Sequence, residues 1–310
     1  MRGRKMGWSL ALVLGLSGCG SQQTLQPDWV LDRFPVVAAS FPLQTMAQQL
    51  QQTLTQNNDS SNSVAGSTAA AWRLLNPLVS REPVLVLAYP PSDQTEEDLA
   101  YFNTEWEASQ IAWDGLVLLS GAQNPVDSLS LQQLQQIYSG QIRNWSEVGG
   151  AYEPIRFYVQ DQDSGLQTAF ESQVMDGLVI EGEQQDWVFE RAGVVRQQPA
   201  SFSPSSDALG FSSLSRCLTH PDPAVKMIAI EGVRPSIQTL SEGRYPLRLA
   251  VLAAARLPVD EPIAQTIAWL RTEQGQQWLR SQSLAPLSEQ QLSQPPIQEN
   301  TRKRIEEEHS

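Results

Sequence analysis

Ser164-Gly165-Leu166-Gln167 is the stretch whose residue types and spacing could hold a ligand. Ile155, Phe157 and Val159 alternate just before it, and Leu166, Phe170 and Val174 recur after it at helical spacing. Ser164 is placed to cap that helix, and Gln167, three residues on, to complete a capping box. Gly165 has no Cβ, so a ligand can approach the backbone closely there. The free N–H groups of a first helical turn, with the positive end of the dipole, favour an anion. The chemistry on offer is capture of an oxyanion by neutral donors, although a plain helix cap carries the same signature. Catalysis is not indicated. The chain has two histidines, His220 and His309, two cysteines and no Gly-x-Ser-x-Gly, so zinc sites, Ser-His triads and Cys-His pairs find little support. The chain reads as a binding protein and not an enzyme, with no cofactor or metal implied.

The elements that must position this stretch have a βα rhythm. Residues 33–39 read as a short strand, after which Ser40-Phe41-Pro42-Leu43 starts a helix with Ser40 as its cap and Leu43, Met46, Leu50 and Leu54 as its apolar stripe. Residues 55–63, with Asn57-Asn58-Asp59-Ser60-Ser61, have loop composition. Gly66-Ser67-Thr68 opens a second helix whose hydroxyls could face a cleft. Val84–Ala88 and residues 116–119 are continuous apolar runs, and residues 96–109 between them read as a polar helix. Such runs predict buried parallel strands of an α/β sheet, with ligands beyond the strands' carboxyl ends.

Arg2, Arg4 and Lys5 precede an apolar run from Met6 to Leu16, followed by Ser17-Gly18-Cys19. That is an export signal too short to span a bilayer as a stable helix, and it places the mature N-terminus at Cys19. Leu16-Ser17-Gly18-Cys19 resembles the lipobox of bacterial lipoproteins, which implies acyl chains on Cys19 and a membrane anchor. With Cys19 acylated, Cys217 has no partner for an intrachain disulfide. The net charge of −13 argues against nucleic acid or an anionic membrane surface as partner, so a small anion must be held by local geometry.

The most specific stretch is Asn124-Pro125-Val126, then Ile137-Tyr138-Ser139-Gly140-Gln141-Ile142-Arg143-Asn144-Trp145-Ser146-Glu147-Val148-Gly149-Gly150. It resembles, nearly residue for residue, a segment of the phosphate-binding proteins of bacterial ABC importers. The similarity continues through Ser164 to Phe170, Leu209-Gly210-Phe211-Ser212-Ser213, Gly232-Val233-Arg234-Pro235-Ser236, Gly243-Arg244-Tyr245-Pro246-Leu247 and Trp269 to Gln276. The resemblance implies a type II periplasmic-binding-protein fold: two α/β lobes joined by two crossovers, with the ligand in the cleft. It implies one lobe from 30–121 and 245–290 and a second from 122–244; composition adds a signal at 1–18, a polar tether at 19–29 and a disordered, dispensable tail at 291–310. Expected partners are inorganic phosphate or a related oxyanion, ABC permease subunits, and the membrane through the lipid anchor. The protein is expected to be a monomer in the cell envelope, facing the periplasm or the exterior.

The same comparison marks departures at the site. Where relatives carry Asp-Gly-Ser-Thr or Gly-Ser-Thr after the first strand, this chain has Pro35-Val36-Val37-Ala38-Ala39-Ser40. The position of a phosphate-binding arginine is Gln160, that of a Ser or Thr donor is Leu166, and an aspartate expected near Val84 has no counterpart. Ser40, Ser67, Thr68, Gln160, Ser164, Gly165, Leu166 and Gln167 are the expected ligand-binding residues. The resemblance supports phosphate capture for an importer, with an envelope interaction or sensory protein of degenerate cleft as the alternative.

Overall fold

The computed structural model describes residues 25–27, 29, 31, 35–55, 63–181 and 205–299. Cys19, the export signal, most of the 55–63 loop and residues 300–310 lie outside the described residues. In chain order the first lobe begins with β1 (Val36–Ser40), α1 (Gln44–Leu54), β2 (Ser63–Gly66), α2 (Thr68–Arg73), β3 (Val84–Ala88) and α3 (Asp93–Tyr101). Next comes β4 (Trp106–Gly121), then β5 (Ser128–Leu129), α4 (Leu131–Tyr138), β6 (Arg156–Phe157), α5 (Gly165–Phe170), β7 (Ala208–Ser213), α6 (Leu214–Thr219), β8 (Val225–Ile230) and α7 (Ile237–Ser241). The chain returns through β9 (Arg248–Arg256) to α8 (Glu261–Leu270), α9 (Glu273–Ser281), α10 (Glu289–Leu292) and β10 (Ile297–Glu299).

β1 lies parallel between β2 and β3, and β3 pairs antiparallel with β9. β4 is the strand that joins the lobes. From Trp106 to Gly115 it runs antiparallel to β9, and from Leu116 to Gly121 it runs antiparallel to β7 and β8. At about 3.3 Å per residue such a strand is about 50 Å long, enough to belong to both lobes. The sheet is therefore mixed, where the apolar runs predict parallel strands. Asp114-Gly115, which punctuates the sequence like a turn, lies inside β4 as continuous strand. The predicted 96–109 helix is corrected too: α3 ends at Tyr101, and Trp106 already belongs to β4. Alternation wins there, because Trp106 and Ala108 are buried and Trp106 packs edge-on against Trp72 with ring centroids 4.9 Å apart.

Continuous helix stripes build the core. Met46, Leu50 and Leu54 of α1 join Leu85 and Leu87 of β3, while Tyr138, Phe170 and Phe211 form an aromatic cluster in the second lobe. Tyr138 to Gly150 serves structure: Trp145 is buried and its indole donates to the Asp207 carbonyl at 3.0 Å. Gly149 adopts φ +87°, a left-handed turn conformation that a Cβ would strain.

Two terminal expectations are corrected. Leu25 and Trp29 pack against the core and Gln274 donates to the Gln26 carbonyl at 2.6 Å, so the end of the 19–29 tether is attached to the domain, as is Leu31 just beyond it, whose N–H donates to the Leu54 carbonyl at 2.8 Å. Residues 291–299 of the expected 291–310 tail belong to the fold: β10 pairs antiparallel with β4. Arg271 holds this segment, donating to the carbonyls of Gln291 at 3.1 Å and of Leu292 and Gln294 at 2.8 Å. Its other terminal nitrogen donates to Gln110 of β4. Charge-assisted hydrogen bonds contribute about 1.5–3 kcal/mol each, although bonds sharing one side chain do not add in full. Arg271→Ala is expected to lower the melting temperature by several degrees and to speed proteolysis after residue 288. Removal of 300–310 is expected to change neither, as scanning fluorimetry and limited proteolysis will show.

Candidate functional site

Two capped helices from opposite lobes meet at the expected site. Ser67 Oγ accepts the Ala70 N–H at 3.1 Å and caps α2. Ser164 Oγ accepts the Leu166 N–H at 3.3 Å and caps α5, whose axis continues through a wider turn over Glu171–Met175. Both N-termini carry the positive end of a helix dipole, so bringing them together calls for an acceptor between them. Thr68 supplies one: its Oγ1 accepts the Gly165 N–H at 3.0 Å. Ala69 N–H in turn donates to the Asp163 carbonyl at 3.2 Å, and Arg73 lies 3.8 Å from the Asp163 carboxylate.

Gly165 is required by this approach. A Cβ at that position would lie 2.6 Å from Thr68 Oγ1 and 3.0 Å from Tyr89 Cβ. Ser40 ends β1 in register with Gly66, beside the start of α2. It is fully buried, and its Oγ has no hydrogen-bond partner among the described residues. It does not cap a helix through its side chain as expected, because Phe41-Pro42-Leu43 forms a single 3-10 turn before α1.

Gln167 does not complete a capping box. Its Oε1 accepts the Gln160 N–H at 2.9 Å and its Nε2 donates to Glu171 at 2.8 Å. Gln160 is likewise engaged within its own lobe: Oε1 accepts from Ser164 Oγ at 2.6 Å and Nε2 donates to the Phe211 carbonyl at 3.1 Å. The Leu166 side chain is in the core, so only its backbone N–H faces the helix start. The donors in these contacts are backbone N–H groups, hydroxyls and amides. The structure thus brings Ser67, Thr68, Gln160, Ser164, Gly165 and Gln167 to one interlobe seam, with Ser40 at its edge.

Sequence reasoning missed the two groups that close the back of this seam. Tyr89, the residue after β3, is fully buried, and its hydroxyl donates to Asp114 Oδ2 at 2.9 Å. Asp114, also fully buried, sits in β4 where the strand passes between lobes. Its Oδ1 accepts from the N–H groups of Gly115 at 2.7 Å and Ser215 at 3.0 Å, and its Oδ2 also accepts from Ser215 Oγ at 2.5 Å. Ser213 Oγ lies 3.3 Å from Ser215 Oγ. Burial raises the Asp114 carboxyl above its usual range, against the opposing pull of these donors. Burial, then the Asp114 charge, pushes the Tyr89 phenol well above its usual value, so it remains a neutral donor at physiological pH. The available signal was an ionisable residue inside an apolar run, followed by Gly115.

A family model described as a PBP superfamily domain matches residues 37–266, and the chain belongs to the periplasmic-binding-protein superfamily. It is 20% identical over 201 residues to the phosphate-binding protein PstS of Borreliella burgdorferi, covering 63% of this chain and 70% of that protein. It is 29% identical over 136 residues to PstS of Bacillus subtilis, covering 43% of this chain and 42% of that protein. Among solved structures, a putative phosphate ABC transporter substrate-binding protein with bound phosphate from Clostridium perfringens superimposes with a TM-score of 0.62 at 19% identity, covering 82% of this chain and 99% of that one. An ABC-type phosphate transport receptor from Vibrio cholerae gives 0.59 at 21% identity, covering 80% and 98%. These likenesses establish the two-lobe α/β fold.

Because the seam leaves no room at Gly165, Gly165→Ala is expected to break the Thr68 hydrogen bond and separate the helix starts. The loss is about 1–3 kcal/mol of stability, as for a buried donor left unpaired. Fluorimetry and small-angle scattering should show a lower melting temperature and a larger radius of gyration; an unchanged pair of values would mean that the lobes do not meet there.

Proposed function

We propose that this protein is the solute-binding component of an ABC importer and captures inorganic phosphate or a related oxyanion between its lobes. The observation that carries the reading is the meeting of two positive helix starts at Thr68 and Gly165. A tetrahedral oxyanion has the acceptors that such a junction asks for: it could take the Gly165 N–H from Thr68 and use the Ser67, Thr68 and Ser164 hydroxyls and that of Ser40, which has no partner among the described residues. Leu166 and Gln167 would contribute backbone N–H groups and Gln160 a neutral amide. Relatives named as phosphate-binding proteins support the choice of ligand. The donors are neutral, so affinity is expected to rest on geometry rather than on net positive charge.

Capture requires no reaction: the chain would bind, and opening of the lobes about β4 and the return to β9 would release. β4 changes partners between Gly115 and Leu116, which favours a first lobe boundary near 115 and not at 121, and the return before β9 is consistent with a second near 245. Permease subunits would read the closed shape, and acylated Cys19 would keep the protein at the membrane, facing away from the cytoplasm. No helix among the described residues is long and apolar enough to cross a membrane.

Calorimetry of residues 20–310 against phosphate, sulfate and organic phosphates at fixed ionic strength tests the ligand. Phosphate at about 100 times its dissociation constant is expected to stabilise by about 2.7 kcal/mol, and Ser164→Ala to weaken binding. Silence toward every anion from a folded protein would favour an envelope interaction role instead. Separately, Cys19→Ser is expected to move the protein out of the membrane fraction or leave it as a precursor; continued labelling by a fatty-acid probe would exclude Cys19 as the anchor.

A further inference from the structure

Tyr89 stands at the carboxyl end of β3, where an α/β lobe presents its ligand-binding loops. Its ring is nevertheless buried, not offered to a cleft. On one side its Cβ would lie 3.0 Å from a Cβ placed on Gly165, in the second lobe. At the other end its hydroxyl reaches Asp114, which Ser215 of the second lobe also grips by backbone and side chain. Its backbone is fixed as well: Trp72 of α2 donates its indole N–H to the Tyr89 carbonyl at 2.9 Å. One side chain therefore fills the space behind the two helix starts and ties the first lobe to the crossover and to the second lobe.

We propose that Tyr89 is a tethered occupant of the interlobe site, which holds the lobes together in the absence of an anion and thereby sets the anion affinity of the cleft. The proposal rests on the reading that the Thr68–Gly165 seam is the anion site. The physical reason is competition within one molecule. An anion must displace the Thr68 hydroxyl from Gly165 and wait for the Tyr89 ring to leave, so only the fraction of molecules with the ring withdrawn can bind. Apparent affinity falls by that fraction. Where the ring is in place nine times in ten, removing it raises affinity about tenfold. Asp114 strengthens the tether, because freeing the phenol would leave one lone pair of a buried carboxylate without its donor.

The test compares wild type, Tyr89→Ser and Tyr89→Phe by small-angle scattering without ligand and by calorimetry with inorganic phosphate. Wild type is expected to be compact before phosphate is added and to keep its radius of gyration afterwards. Tyr89→Ser should be more expanded without ligand, contract on phosphate, and bind it about tenfold more tightly. Tyr89→Phe keeps the ring but loses the hydrogen bond to Asp114, so its affinity should fall between those of wild type and Tyr89→Ser. Contraction of wild type on saturating phosphate would overturn the proposal, and this reading stands even if Tyr89→Ser does not fold. So would a folded Tyr89→Ser protein as compact as wild type without ligand, or, where wild type gives heat with phosphate, one that binds it no better. If wild type and folded Tyr89→Ser both give no heat with phosphate while only Tyr89→Ser is expanded, the tether stands and the phosphate reading falls.

Discussion

A carboxylate with no exposure, set in a strand shared by both lobes, must be met by donors from every side or it cannot remain there. Asp114 is that group. An unpaired buried charge would be driven to neutralise or to unfold its surroundings, so the placement of Gly115, Ser215 and Tyr89 around it is a condition of the fold. Gly115 belongs to β4, Ser215 to α6 of the second lobe, and Tyr89 to the end of β3 in the first. Satisfying one carboxylate therefore fixes the relation between the lobes.

The seam at Thr68 and Gly165 follows from that relation. With β3 and α6 drawn to the same point on β4, the starts of α2 and α5 face each other, and two positive helix ends need an acceptor between them. Thr68 provides it from within the chain, and Gly165 permits the approach because it has no Cβ. The same hydroxyl and amide are the groups that an oxyanion would engage. Binding and closure thus draw on one set of donors, and their competition controls how strongly this cleft can hold a ligand.

The parts of this arrangement that depend on local chemistry were legible in the sequence. Ser67 and Ser164 cap the helices that their spacing predicts, because a hydroxyl before a helical apolar stripe has few other uses. Gln167 shows where local reasoning ends. The capping-box pattern is present, yet its amide finds the Gln160 N–H, a partner that depends on how the preceding loop folds. Tyr89 and Asp114 lie 25 residues apart and meet Ser215 a further 101 residues on, so no window of sequence contains their network. Only the donors brought by other elements make a charge tolerable inside a strand, so Asp114-Gly115 carries no local sign of its place within β4. The tail to Glu299 was misread because Arg271 holds it by its carbonyls, which composition does not reveal.

Amide hydrogen exchange at Gly165 and Ser215, followed by nuclear magnetic resonance in phosphate-free protein, tests the central claim most directly. Both N–H groups are donors across the lobe junction, one to Thr68 and one to Asp114. If closure is built into the chain, both should be protected well beyond loop amides before any anion is added, and phosphate should change their protection little. Exchange of the Gly165 amide at the rate of an open loop, with protection gained only when phosphate is supplied, would contradict the account.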